Sequence, residues 1–199
     1  DTGSRGLGDV YKRQIRYLMR HRHTTPFEMV EFKFHCKMPI FVARQWVRHR
    51  TANINEYSLR YSEARDEFYL PDPEHIQFQS SLNKQGRLGE VSASLKEKVS
   101  DYFQEISNRS FEIYSELNDA GVARELARAV LPVNLYTEWY WKNDLHNLLH
   151  FVGLRSDSHA QYEIRVFSDA MAESVKKVAP FAWEAYQDYV ISGLRFSRI

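Results

Sequence analysis

Val30-Glu31-Phe32-Lys33-Phe34-His35-Cys36-Lys37 is the stretch that decides the fold. Val30, Phe32, Phe34 and Cys36 fall strictly on alternate positions, with Glu31, Lys33, His35 and Lys37 between them. Successive side chains of an extended chain point to opposite faces, so this pattern predicts a strand with one face buried. Before it, Ile15, Leu18 and Met19 recur at helical spacing, and Thr25-Pro26 stops that helix because the residue preceding a proline avoids the α region. After it, Pro39 suits the first turn of a helix whose face is Phe41, Val42, Gln45 and Trp46, and the polar run 48–58 ends that helix in a loop.

Outward from this core the reading continues with a short strand at 67–70 and a polar surface loop at 71–90. A long helix follows over 92–118, with Leu95, Val99, Tyr102, Phe103, Ile106, Ile113, Tyr114 and Leu117 on one stripe and Gly121 as its stop. A short helix at 124–130, a strand at 135–141 and helices at 144–153, 158–178 and 181–191 complete the order. Strands and helices in this succession predict an α+β fold, with an antiparallel or mixed sheet, a long helix and C-terminal helices, rather than a doubly wound one. No dinucleotide fingerprint follows a strand, because Gly6-Leu7-Gly8 lacks the third glycine.

The 199 residues are 43% hydrophobic, enough for one domain with its own core. With 27 basic against 26 acidic residues the formal charge is +1, so no global field draws the chain to nucleic acid or a membrane. No stretch approaches the roughly 18 apolar residues of a membrane span, and a cytoplasmic location is the expectation. One cysteine, Cys36, excludes an intrachain disulfide and any multi-cysteine metal cage. Residues 1–14 are Gly-rich without a clear period and read as a leader, leaving 15–199 as the single domain.

Chemistry concentrates in Arg44-Gln45-Trp46-Val47-Arg48-His49-Arg50 and its continuation Thr51-Ala52-Asn53-Ile54-Asn55-Glu56-Tyr57-Ser58-Leu59-Arg60-Tyr61. Guanidinium groups bind phosphate bidentately, Asn55 and Ser58 donate to a base or phosphate, and Glu56 accepts from a ribose or amide. These parts suit a nucleotide phosphate. A solvated basic helix end with surface ion pairs explains the composition equally well.

The spacing carries further. Arg48-His49-Arg50, then seven residues, then Ser58 resembles the signature of the flavin-dependent thymidylate synthases, the ThyX type. The flanks match, with Pro39-Ile40-Phe41-Val42-Ala43-Arg44-Gln45-Trp46 before and Arg60-Tyr61-Ser62 after. His23-Thr24-Thr25-Pro26-Phe27-Glu28 looks like that family's flavin-contacting turn, and the segment 124–136 resembles its block ending Leu-Pro-x-Asn-Leu-Tyr. Leu154-Arg155-Ser156-Asp157-Ser158-His159-Ala160-Gln161 resembles its C-terminal block. The resemblance runs from Ile15 to about Tyr189. In relatives about forty residues precede the position of Ile15, so it implies an N-terminally truncated member.

The resemblance implies a thymidylate synthase-complementing type fold and reductive methylation of dUMP to dTMP. FAD is the cofactor, NADPH its reductant and methylenetetrahydrofolate the carbon donor. It assigns His23, Thr25, Glu28, Arg48, His49, Arg50, Asn55 and Glu56 to FAD, with Asp144, His146, His150 and His159 as further flavin positions. The dUMP set is Gln45, Arg48, Glu56, Tyr57, Ser58, Leu59, Arg60, Arg128 and Arg155. Arg155 takes the chemical role of stabilising negative charge on the uracil, which a permanently protonated guanidinium suits. The implied working form is a homotetramer with shared flavin sites.

Several residues carry two readings. Asp144 is a flavin contact or a helix N-cap, and His159 approaches a neighbour's flavin or satisfies a buried hydrogen bond. Ser58 has no evident base to activate it and reads as a positioning group rather than a nucleophile. Cys36 lies on the apolar face of its strand, where a neutral thiol is expected. No metal is expected, because His21, His23 and His35 lack the geometry and a completing ligand. The alternative from another class is a nucleotide or RNA binder that grips phosphates through 44–60 and stacks a base on Tyr57 or Tyr61.

Overall fold

The computed structural model describes residues 7–81 and 86–193. In chain order its elements are α1 (Leu7–Arg20), α2 (Thr25–Glu28), β1 (Glu31–Pro39), α3 (Ile40–Trp46), β2 (Asn53–Glu56), β3 (Gln77–Gln79) and β4 (Arg87–Glu90). Then come α4 (Ala93–Asp119), α5 (Arg124–Ala127), β5 (Tyr136–Asp144), α6 (Leu145–Arg155), α7 (Tyr162–Val178) and α8 (Pro180–Tyr186). They fall into two compact units, one of residues 1–32 with 143–199 and one of residues 33–142. The first six residues of the expected leader and the last six of the expected domain lie outside the described residues.

In the first unit α1 starts at Leu7, eight residues before the periodicity becomes visible at Ile15. Its early turns are held by charge rather than an apolar stripe: Lys12 pairs with Glu184 at 2.6 Å and Arg16 with Asp188 at 2.6 Å. The Asp188 hydrogen bond raises the Arg16 pKa above its ordinary value. The helix closes with the His23 N–H donating to the Leu18 carbonyl at 2.9 Å while Arg22 turns left-handed at φ 58°. That is a Schellman stop with an arginine where glycine is usual, and it fixes where His23 emerges. Pro26 then opens α2, whose Phe27 is buried, and α2 packs on α6.

α6 buries Leu145, Leu148, Leu149, Phe151 and Val152, and α7 buries Ile164, Ser168, Met171, Ala172 and Val175 at helical spacing. α8 is shorter than the helix expected over 181–191, because the chain passes into a π-helical turn at Gln187–Ile191.

The second unit is organised on the strand that the alternation predicts. Phe32 and Phe34 are partly buried and Cys36 fully, while Glu31, Lys33, His35 and Lys37 are exposed; Val30, expected on the buried face, instead precedes the strand and is 43% exposed. The sheet order is β1-β5-β2, with β2 antiparallel to β5 and Ile54 opposite Trp141. β5 alternates as a half-buried strand should, burying Thr137, Trp139, Trp141 and Asn143. Pro39 proves to be the N-cap of α3 rather than part of its first turn.

Three expectations change here. The run 48–58 contains β2, which is exposed throughout and so carries no apolar alternation. The segment 67–70 forms only one bridge, Phe68 to Leu135. The loop 71–90 contains a 3₁₀ turn at Pro73–His75 and the antiparallel pair β3–β4, all of whose strand residues are exposed.

α4 is capped by the Ser92 side chain, which accepts from the Leu95 N–H. Its buried residues are Ser107, Ser110 and Tyr114. Tyr114 anchors a core with Ala64, Ala127 and Leu135, flanked by Phe68, Phe111 and Leu131. Its hydroxyl is satisfied there, accepting from the Ala64 N–H at 2.9 Å. The predicted apolar stripe therefore divides, since Leu95, Tyr102 and Ile106 face solvent.

Candidate functional site

Trp46, the last residue of α3, positions the arginine-rich segment. It is fully buried, with its ring edge-on to Trp139 at 5.4 Å and to Trp141 at 5.5 Å. A side chain of that area wedged against β5 fixes the helix end. Gln45, one residue earlier, is partly buried, and its side-chain oxygen Oε1 is enclosed without a hydrogen-bond donor among the described residues. An enclosed acceptor left unpaired is costly. Arg48 and Arg50 follow, both exposed, with His49 between them donating its N–H to the Trp46 carbonyl at 3.0 Å.

β2 then brings Asn55 and Glu56 alongside β5. Thr137 Oγ1 donates to Glu56 Oε1 at 2.8 Å, from a residue only 8% exposed. One carboxylate oxygen is thereby fixed while Oε2 remains an acceptor. The Tyr57 N–H donates to the Glu138 carbonyl and its hydroxyl to the Glu63 carbonyl at 3.1 Å, so this ring is tied down at both ends. Ser58 Oγ accepts from the Arg60 N–H at 3.3 Å. It has no histidine or carboxylate partner among the described residues, which fits an orienting hydroxyl better than a nucleophile. Leu59 packs against the Tyr114 core, and Arg128 stands partly buried just after α5. Gln45, Arg48 to Arg50, Asn55 to Arg60 and Arg128 all belong to this unit.

His23, Thr25, Glu28, Asp144, His146, His150, Arg155 and His159 belong to the first unit. A cleft in it has a volume of about 1620 Å³ and is bounded by the end of α1, by α2, by one face of α6 and by the segment after α8. Leu18, Phe27 and Leu149 form its apolar wall, and His21, His23, His146 and His150 line it as well. His146 and His150 are both exposed and lie four apart on α6, hence on one helical face. The volume exceeds the roughly 300–1,000 Å³ of pockets for drug-sized ligands, which leaves room for a group as large as a dinucleotide. Among the described residues no three His, Cys, Asp or Glu side chains gather as metal ligands.

Asp144 sits at the mouth of α6 as its N-cap. Its Oδ1 accepts from the Asn147 N–H at 2.9 Å and its Oδ2 from the Asn147 side-chain amide at 2.7 Å, so both oxygens are engaged in the helix start. His159 is 76% exposed at its side chain, which removes the buried-hydrogen-bond reading for it. Its N–H and its ring Nδ1 both lie 2.8 Å from Asp157 Oδ1. These contacts, the backbone one foremost, hold the Asp157 carboxyl below the usual carboxylate range. Arg155 at the end of α6 is partly buried, and desolvation lowers its pKa. The charge persists, because guanidinium starts from so high a value.

Motif reading missed Thr137, Glu125 and Glu63. They act as partners of the motif residues across 81, 65 and 61 positions of chain respectively, and no local pattern signals such pairing.

Comparison with known proteins identifies the family and the fold. Residues 4–181 match the family described as thymidylate synthase complementing protein. A flavin-dependent thymidylate synthase of Ehrlichia ruminantium (strain Gardel) is 55% identical over 184 residues, covering 92% of this chain. One from Rickettsia conorii is 52% identical over 197 residues, covering 92% of this chain and 67% of the relative. The chain spans 62% of the length of the Ehrlichia protein. Among solved structures, the UMP/dUMP methylase PolB from Streptomyces cacaoi bound with 5-Br UMP superposes with a TM-score of 0.84 at 36% identity. That superposition covers 89% of this chain and 82% of PolB. With the motif, the fold and nearly the whole length in agreement, the chain belongs to the thymidylate synthase complementing protein family.

Proposed function

We propose that this protein is an FAD-dependent thymidylate synthase, a methyltransferase that converts dUMP to dTMP, using methylenetetrahydrofolate as the carbon donor and NADPH as the reductant. The observation that carries this reading is the likeness to a solved UMP/dUMP methylase at a TM-score of 0.84 and 36% identity.

Arg48, Arg60 and Arg128 bind the nucleotide, Gln45 and Glu56 accept from it, and Tyr57, Ser58 and Leu59 shape its seat. Thr137 keeps Glu56 in a single orientation. Arg155 stabilises the negative charge that develops on the uracil ring, the kind of electrostatic task worth most in a partly desolvated site. His23, Thr25, Glu28, Arg48, His49, Arg50, Asn55, Glu56, His146, His150 and His159 are assigned to FAD. Asp144 contributes through the helix start that it caps. FAD, when bound, supplies the hydride that the protein's own side chains cannot. The buried Cys36 takes no part, because burial pushes its thiol up to about 11 and keeps it protonated. A homotetramer in the cytoplasm completes the proposal.

The test is a visible spectrum of the purified full chain, then incubation with dUMP, methylenetetrahydrofolate and NADPH. Flavin bands with dTMP formed are the expected outcome; no product with FAD added in excess sinks the reading. Arg155→Lys keeps the charge but loses the planar fork, and dTMP formation is expected to fall by roughly 10²–10³. Retention of activity within about tenfold would remove Arg155 from the chemical step.

A further inference from the structure

Arg60 and Arg128, 68 positions apart, both hydrogen-bond to Glu125, which is not among the expected site residues. Arg60 Nη2 donates to Glu125 Oε2 at 3.1 Å, and Arg128 Nε donates to the Glu125 main-chain oxygen at 3.4 Å. Ala127 is fully buried in the Tyr114 core and pins α5, so Glu125 and Arg128 extend from a fixed backbone. The Arg60 and Glu125 side chains are 53% and 61% exposed, and such an exposed pair is weakly held. A carboxylate offers a guanidinium the same two-oxygen face that a phosphate monoester offers, with half the charge. The carboxylate thus lies against Arg60, on the residue whose main-chain oxygen Arg128 contacts.

We propose that Glu125 is a built-in competitor for the substrate's phosphate: its carboxylate holds Arg60 at the phosphate position between turnovers and gives way to the arriving phosphate monoester. The consequence is selectivity. A weakly bound anion does not displace the carboxylate, whereas a phosphate dianion contacting both Arg60 and Arg128 does. The adjacent pair, Arg124 with Glu63 at 2.7 Å, has a different role, since Arg124 also donates to the Tyr61 carbonyl at 3.2 Å and so fastens the Arg60-Tyr61 turn to α5.

The proposal rests on the dUMP reading, and calorimetric titration of the full chain with FAD present at low ionic strength separates the two. Glu125→Gln is expected to bind dUMP roughly three- to fivefold tighter than the unaltered protein, the range that release of an exposed ion pair permits. Deoxyuridine, which lacks the phosphate, is expected to bind both alike. Glu63→Gln removes the same charge close by and is expected to leave dUMP affinity within about twofold. Unchanged or weaker dUMP binding in Glu125→Gln overturns the proposal. So does an equal gain in Glu63→Gln, which would reflect the general field, or an equal gain for deoxyuridine. In each of those cases dUMP still binds and the substrate reading survives. Absence of dUMP binding in all three proteins overturns the substrate reading and the competitor with it.

Discussion

A residue's environment here decides what its chemical type can do. Cys36 and Asp157 are the clearest pair: burial keeps the thiol neutral, while hydrogen bonds keep the carboxyl ionised. Asp157 accepts from both the N–H and the ring of His159, so its pKa is depressed in the folded protein. A depressed carboxylate contributes stability that is present above the unfolded value, about 3.9, and lost as pH falls through the folded value. The window therefore lies below about pH 4. Carboxyl-carbon NMR between pH 2 and 6 is expected to place the Asp157 midpoint below that of an unstructured aspartate. A midpoint at or above the ordinary value would mean that the His159 contacts do not persist in solution. Because Asp157 also orients His159, Asp157→Asn is expected to broaden the His159 ring signals while leaving those of His21 and His23 unchanged.

At the scale of elements, α6 carries Asp144, His146, His150 and Arg155, and its placement depends on one close approach. A Cβ built on Gly153 would stand 2.7 Å from the Tyr186 hydroxyl and 3.9 Å from its ring carbon Cζ. Tyr186 is 2% exposed, its hydroxyl has no hydrogen-bond partner among the described residues, and burial pushes its pKa up to about 12. Alanine favours a helix over glycine by about 1 kcal/mol, whereas overpacking a fixed ring costs about 1–3 kcal/mol. The ring is enclosed, so the clash wins and Gly153→Ala is expected to destabilise by about 1 kcal/mol. Tyr186→Phe removes an unpaired buried hydroxyl, is expected to be neutral or slightly stabilising, and should restore the stability of Gly153→Ala when the two are combined. Urea midpoints of the four proteins test the cycle, and strict additivity would show that the two groups do not meet. Legibility in sequence follows the same division. Alternation exposed β1 and β5, and helical spacing exposed α6 and α7, because each buries one face. β2 and the β3–β4 pair bury nothing and are held by main-chain bonds, so their side chains carry no period. Of the proposed site, the charged residues of 44–60 stood out by type and spacing and the others entered through the family resemblance, while Thr137, Glu63 and Glu125 were not legible, since their partners come from distant chain.

For the whole molecule the unsettled surface is α4. Leu95, Tyr102 and Ile106 are 38%, 55% and 55% exposed and follow one another at seven and four positions, so they share a helical face. Ser107, Ser110 and Tyr114, which face the core, lie about a quarter turn around the helix from that stripe. An apolar stripe three turns long marks an interaction surface, unlike apolar residues exposed singly. Lys98 lies 5.5 Å from the Tyr102 ring centroid, a contact that shields the ring only in part. A second copy of the chain is the occupant that the proposed homotetramer supplies, and self-association buries such a stripe without any other partner. Light scattering on the eluting protein is then expected to report a tetramer. Tyr102→Glu with Ile106→Glu places charges on the stripe but leaves the core side untouched, so the double variant is expected to elute as a smaller species with the same far-ultraviolet circular dichroism. A monomer before substitution would leave α4 without a self-partner and contradict the tetramer. A tetramer that survives both glutamates would place the contact between copies elsewhere, and it would show that the stripe is solvated in the assembled protein.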